Sequence, residues 1–141
     1  MKKIVVMLFI ILIVGAGFLI IRNKKIVRPD MDYIATIYHS EMIGIDAGWQ
    51  YIYYIYPDEN ESYVYIKSKS EITDVGASDE YDVDLGKIKD KNDFEKIEKD
   101  IEKDKLAEAQ QFFNYTYKNE GKIENLNSLE ELTELLLLLK N

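Results

Sequence analysis

Trp49-Gln-Tyr-Ile-Tyr-Tyr-Ile-Tyr56, then Pro57-Asp-Glu-Asn-Glu61, then Ser62-Tyr-Val-Tyr-Ile-Lys-Ser-Lys-Ser70 is the stretch on which the reading of this chain turns. Tyr, Ile, Val and Trp suit a pleated, half-buried surface, and Pro57, Asp58 and Asn60 separate two runs of strand length, so the stretch reads as a β-hairpin. A two-residue loop at Glu59 and Asn60, or a four-residue loop from Asp58 to Glu61, pairs Tyr56 with Tyr63, Ile55 with Val64, Tyr54 with Tyr65 and Tyr53 with Ile66. Side chains alternate between the two faces of a strand. That pairing collects Trp49, Tyr51, Tyr53, Ile55, Val64 and Ile66 on a core face. The other face then holds Gln50, Ile52, Tyr54, Tyr56, Tyr63, Tyr65, Lys67 and Lys69, a row of phenols edged by ammonium groups that is able to stack flat rings or sugars. Tyr54, Tyr56, Tyr63, Tyr65 and Lys67 are the candidate ligand-binding residues on this reading. A three-residue loop would break the parity and void both face assignments.

Ahead of the hairpin, Ile4 to Ile21 is a run of eighteen uncharged residues, with Lys2 and Lys3 before it and Arg22, Lys24, Lys25 and Arg28 behind it. At about 1.5 Å per residue, a helix of that length just crosses a hydrocarbon core. The alternative is a cleaved signal peptide with Gly15-Ala16-Gly17 as its cleavage site. Phe18 to Ile21 prolongs the apolar run past the small residues, and basic residues follow directly, so an uncleaved single-pass anchor in the lipid bilayer is preferred. The expected organisation is an anchor with basic flanks over residues 1–25, a polar linker over 26–32 and a small acidic domain over 33–141. A lysine-flanked apolar segment ahead of a domain has the form of an export signal, which places the domain outside the cytoplasm.

Within the domain, Tyr33 to His39 reads as a first strand and Ser40 to Gly48 as a loop. Tyr81-Asp82-Val83-Asp84-Leu85 alternates as a half-buried strand with its aspartates in solvent. Lys91 to Lys105 is an amphipathic helix opened by a capping box of Asn92 and Glu95, with Phe94, Ile97 and Ile101 as its buried stripe, a Glu95–Lys99 pair on its surface and a break near Asp104. Phe112 to Lys118 and Lys122 to Leu126 read as strands around a turn at Asn119-Glu120-Gly121. Ser128 and Glu131 form a second capping box before Leu129, Leu132, Leu136 and Leu139. Leu135, Leu137 and Leu138 widen that stripe, making the C-terminal leucine-rich helix a possible protein-partner surface. The fold class is α+β: an N-terminal transmembrane helix followed by a small antiparallel sheet with two amphipathic helices.

Composition narrows the chemistry. The chain has no cysteine, which excludes disulfides, thiolate zinc sites and cysteine nucleophiles. The one histidine, His39, does not make a metal site by itself and reads as a strand-end surface or packing residue. Asp79, Asp82, Asp84 and Gly86 lack the spacing of a calcium loop, and there is no P-loop, dinucleotide fingerprint or HExxH motif. No metal, no cofactor and no enzymatic activity are expected. Twelve lysines after residue 29 face 26 acids, which leaves the domain at about −14 and argues against nucleic acid as a partner. Sixteen lysines to two arginines, with abundant isoleucine, is the signature of an AT-rich, bacterial coding sequence.

Gly44-Ile-Asp-Ala-Gly48, Tyr65-Ile-Lys-Ser-Lys-Ser-Glu-Ile-Thr73, the charged run Phe94 to Lys105 and Ser128-Leu-Glu-Glu-Leu132 are similar to small uncharacterised bacterial proteins with an N-terminal hydrophobic segment. The resemblance spans residues 40 to 135 and implies neither an activity nor a site residue. The functional expectation is a membrane-anchored, non-enzymatic binding or accessory module. The alternative is a structural subunit of a membrane protein complex, held through the anchor and the leucine helix, and a third reading is a secreted protein after signal-peptide cleavage.

Overall fold

The computed structural model describes residues 25–140, so the anchor expected over residues 4–21 lies outside the described residues. Among the described residues, no helix is long and apolar enough to cross a membrane. Within the described residues, seven strands form one antiparallel sheet: β1 (Ala35–Ile43), β2 (Ala47–Asp58), β3 (Ser62–Thr73), β4 (Gly76–Ala77), β5 (Tyr81–Ile88), β6 (Gln110–Asn119) and β7 (Lys122–Leu126). With the two helices of the described residues, α1 (Lys91–Asp104) and α2 (Leu129–Leu139), the fold is α+β. The strand order is β4-β3-β2-β1-β6-β7, and β5 shares the outer edge of β3 with β4. From β5, α1 carries the chain back across the sheet to β6, which pairs with β1.

The hairpin forms as expected, but its register differs by one residue. Its loop has three residues, Glu59-Asn60-Glu61, with Asn60 and Glu61 in the left-handed region at φ 62° and 55°. Ser62 Oγ closes the loop by donating to the Glu59 carbonyl (3.0 Å) and Asp58 Oδ2 (3.3 Å). Tyr56 therefore pairs with Val64, Ile55 with Tyr65, Tyr54 with Ile66 and Tyr53 with Lys67. The face assignments made from an even-numbered loop are corrected accordingly: Tyr51, Tyr53 and Ile55 share a face with Tyr63, Tyr65 and Lys67, while Tyr54 and Tyr56 lie opposite with Val64 and Ile66.

Both helices pack on the face that carries Ile55. Phe94, Ile97 and Ile101 of α1 and Leu132 and Leu136 of α2 close over Ala35, Ile37, Tyr51, Tyr53, Ile55, Tyr63 and Ile88 to make the core. Lys67 lies beneath α1, donating to Asp100 Oδ2 (2.6 Å) and Asp104 Oδ2 (2.5 Å), and the Tyr53 hydroxyl donates to the same Asp100 oxygen (2.8 Å). Burial alone would lower the Lys67 pKa, but the two carboxylates outweigh it and hold it above the ordinary lysine value. Burial likewise acts upward on Asp100, yet the bonds from Lys67 and Tyr53 hold its carboxyl below the usual range.

Other expected elements shift in informative ways. β1 runs on through Ser40, Glu41 and Met42, because β2 and β6 pair them on both sides and satisfy their backbone; only Gly44 to Asp46 turns. Asp90, not Asn92, caps α1: its Oδ1 accepts from the amides of Asn92 (2.9 Å) and Asp93 (3.3 Å), and Asp93 in turn accepts from the Lys89 amide (2.9 Å). Lys96 bonds Asp93 (2.6 Å) in place of the expected Glu95–Lys99 pair. α1 stops at Asp104 and Ser128 caps α2 through the Glu131 amide (3.1 Å), both as expected. In β5 a bulge opposite Lys67 and Ser68 breaks the simple alternation, so Leu85 pairs with Ile66 while Tyr81 pairs with Lys69.

Two outcomes test this arrangement. Glu61→Gly removes a side chain from a left-handed position and is expected to raise stability by about 0.5–1 kcal/mol in urea denaturation. Lys67→Met is expected to lower stability by about 2 kcal/mol at neutral pH, since it leaves two carboxylates facing the sheet. Because the Lys67 pKa is raised, its contribution is complete below the unfolded value of 10.5 and fades as pH rises through the folded one, so the difference between variant and native protein should shrink there.

Candidate functional site

The face of the sheet away from the helices has an unusual composition for this chain. Its β1 positions are Thr36, Tyr38, Ser40 and Met42; Gln50, Ile52 and Tyr54 follow on β2, Ile66, Ser68 and Ser70 on β3, and Phe112, Asn114 and Thr116 on β6. None of these residues is charged, although 31% of the chain is. Of the charged members of the same strands, Glu41, Lys67, Lys69 and Glu71 point to the helix side, while Asp58 and Lys118 share this face only at its hairpin end, beyond Tyr54 and Thr116. An antiparallel sheet with one covered face normally places its charges on the other; here the central patch of the open face reverses that order.

Hydrogen bonds pre-arrange the polar groups of this face. Gln50 Nε2 donates to Ser70 Oγ (2.6 Å), the Tyr38 hydroxyl reaches Gln50 Oε1 (3.4 Å), and the Thr36 and Thr116 hydroxyls bond across strands (2.7 Å). Tyr38, Gln50 and Ile52 are half-buried and Phe112 is exposed. No helix among the described residues covers them.

Part of the face lies under the segment from residue 25 to residue 34. Ile34 fixes one end of this strap: its amide donates to the Ile55 carbonyl (2.8 Å), and its carbonyl accepts from the Lys118 amide (2.7 Å). The Tyr33 ring sits on Tyr54 and Tyr56 at centroid distances of 5.1 and 6.4 Å, with Lys118 Nζ 3.6 Å from the centre of the Tyr33 ring. Arg28 fixes the other end. Its guanidinium donates to Asp82 Oδ1 (2.6 Å), Glu80 Oε1 (2.6 Å) and Ser68 Oγ (2.9 Å) and lies 4.8 Å from the centre of the Tyr54 ring. Ser68 Oγ also donates to Asp82 (2.5 Å), and the Tyr54 hydroxyl donates to Glu80 (3.0 Å). The hydrogen bond with Asp82 raises the Arg28 pKa and, reciprocally, holds the Asp82 carboxyl below its usual range. Burial, with Glu80 nearby, pushes the Tyr54 phenol up to about 12.

The five residues expected to form one binding surface are divided by the sheet. Tyr54 is half-buried beneath Arg28, and Tyr56 is 4% exposed beneath Tyr33. Tyr63, Tyr65 and Lys67 face the helices, where Tyr63 donates to the Leu136 carbonyl (2.6 Å). The open face is instead made by Tyr38, Gln50, Ile52, Asn114 and Phe112. Tyr38 fell in a weak strand pattern, and Gln50 and Ile52 were on the expected tyrosine face without standing out from it. Arg28 read as a linker residue and Asp82 as a solvent-facing one; their pairing across 54 positions leaves no local signal.

His39 is fully buried on the helix side, stacked between Tyr51 and Phe113 at 5.7 and 4.7 Å, so the surface alternative for it is corrected. Gln111 donates its amide to Glu41 Oε1 (3.1 Å), which turns its own oxygen to His39 Nε2 (2.5 Å) and requires that nitrogen to donate. Glu41 also accepts from the Leu106 amide (2.9 Å), so the cluster fastens the connection between α1 and β6 to the centre of the sheet. Among the described residues, no three His, Cys, Asp or Glu side chains group so as to hold a metal ion.

Compared with known proteins, the chain matches no family model, no curated protein and no solved structure.

The strap is testable by itself. Arg28→Ala is expected to accelerate hydrogen exchange at the Ile34 and Lys118 amides about tenfold while leaving core amides unchanged. In an NMR titration, the Asp82 carboxyl should protonate below 3.8, and the strap's contribution, complete above that pH, should disappear as pH falls through the folded-state value.

Proposed function

We propose that this chain is a membrane-anchored, single-pass, non-enzymatic binding module, with its domain outside the cytoplasm and the uncharged sheet face as its ligand surface. The observation that carries the reading is the local reversal of polarity: the buried charges Glu41 and Lys67 lie on the helix side, while the uncharged central patch of Tyr38, Gln50, Ile52, Asn114 and Phe112 is left without a covering helix among the described residues. Aromatic rings alternating with amide and hydroxyl groups suit a neutral, hydroxyl-rich ligand with flat apolar ring faces, and a short glycan has that chemistry. The eighteen uncharged residues from Ile4 to Ile21, flanked by basic residues, support the anchor.

The test is an NMR titration of the full chain in detergent micelles with neutral hexose and N-acetylhexosamine oligomers. Amide shifts are expected at Tyr38, Gln50, Ile52 and Asn114, with an affinity that does not change with salt because no charge pairs are formed. Replacing Tyr38 and Phe112 together by Ser should weaken binding at least about tenfold and leave the thermal midpoint within a few degrees. Shifts confined to lysine-bearing surfaces, or affinity that collapses with salt, would contradict the assignment.

A further inference from the structure

The last turn of α2 leaves Leu138 and Leu139 71% and 54% exposed. Lys140 follows them directly and donates to the Lys89 carbonyl, which brings the helix end against the end of β5. Together with Lys87, Lys89 and the hairpin loop, it lines a hollow of about 440 Å³. The charged residues of that hollow are Lys87, Lys89 and Lys140 against Asp58 and Glu59, and Asp58 is already paired with Lys87 (3.2 Å). With Glu61 of the loop counted, three lysines stand against three acids, so this end of the sheet is close to neutral in a domain of net charge about −14. Exposed leucines beside lysines are the pattern of a surface that seats its apolar side chains at the acyl boundary and its ammonium groups among lipid phosphates.

The opposite end of the sheet also exposes apolar residues, but of a different electrostatic kind. Ile45 and Val75 are 91% and 92% exposed on neighbouring turns, since Gly48 pairs with Ile72. Asp46 and Asp74 stand beside them. An anionic lipid surface therefore repels that end more strongly than the lysine end, whose three ammonium groups offset its acids.

Reach is compatible with contact. Arg28 is fastened to Ser68, six residues along β3 from Ser62, or about 20 Å at strand spacing. Six residues, 22 to 27, separate Arg28 from the last residue of the apolar run, and a fully extended tether of that length spans at most about 25 Å. On the reading that residues 4–21 span a bilayer, on which this inference rests, the tether is long enough for the lysine end to meet the membrane surface. We infer that Leu138, Leu139, Lys140, Lys87 and Lys89 form a docking surface for the anionic lipid bilayer that holds the anchor.

The absence of cysteine makes site-directed spin labelling direct. Leu138→Cys, Leu139→Cys, Ile45→Cys and Val75→Cys variants of the full chain, each nitroxide-labelled, are reconstituted into vesicles of mixed phosphatidylcholine and phosphatidylglycerol. Oxygen accessibility should exceed that to an aqueous nickel chelate at positions 138 and 139, and the reverse should hold at 45 and 75. Lys87→Glu combined with Lys89→Glu, or phosphatidylcholine vesicles alone, should lower the oxygen-to-nickel ratio at 138 and 139 several-fold while the chain stays in the vesicles. Labels at 138 and 139 that remain in water, or labels at 45 and 75 that enter lipid, overturn the docking surface alone. Release of the chain by alkaline carbonate overturns the anchor, and the docking surface with it.

Discussion

Three residues between two strands decide how this domain is arranged. With Glu59, Asn60 and Glu61 in the loop, each residue of β2 meets a partner one position away from the one an even loop selects, and every side chain of β3 changes face. That parity puts Lys67 beneath α1, where Asp100 and Asp104 neutralise it and Tyr53 completes the network. It also puts Ser68 on the opposite face, where it joins Asp82 in holding Arg28. Under the other parity, Lys67 would meet the strap and Ser68 the helices. Asn60 tolerates its left-handed backbone better than most residues, and Ser62 secures the loop with two hydrogen bonds.

The two faces are held together in different ways. On the helix side, apolar contacts from α1 and α2 supply the core; the buried Lys67 is paired with Asp100 and Asp104, while Glu41 accepts hydrogen bonds at Oε1 and leaves Oε2 without one. On the other side, Ser40, Ser68 and Ser70 are almost fully buried without a helix above them, because larger neighbours and the strap shield them. The charge network of Arg28, Glu80 and Asp82 holds the strap of residues 25–34 across part of the open face at a defined place.

Much of the fold was legible in the chain, because local signals agree with it. The hairpin, the stripe of Phe94, Ile97 and Ile101, the end of α1 at Asp104 and the Ser128 cap all follow from residue pattern. The register was not legible, because pattern alone cannot distinguish three loop residues from two or four when tyrosines occupy both parities of the strand. The continuation of β1 through Glu41 was hidden for a similar reason: a buried glutamate looks like a loop residue until Gln111 and Leu106, far along the chain, supply its donors. The open face escaped for the opposite reason. It is defined by what its residues lack, and the missing charge appears only when four strands are laid side by side.

The central claim is the hairpin register, since both faces follow from it. Cross-strand Hα–Hα contacts in an NMR spectrum of the isotope-labelled chain test it most directly. The account predicts contacts between Tyr54 and Ile66 and between Ile52 and Ser68, or between their odd-numbered neighbours such as Tyr53 and Lys67. Contacts between Tyr54 and Tyr65, or between Tyr53 and Ile66, would contradict it.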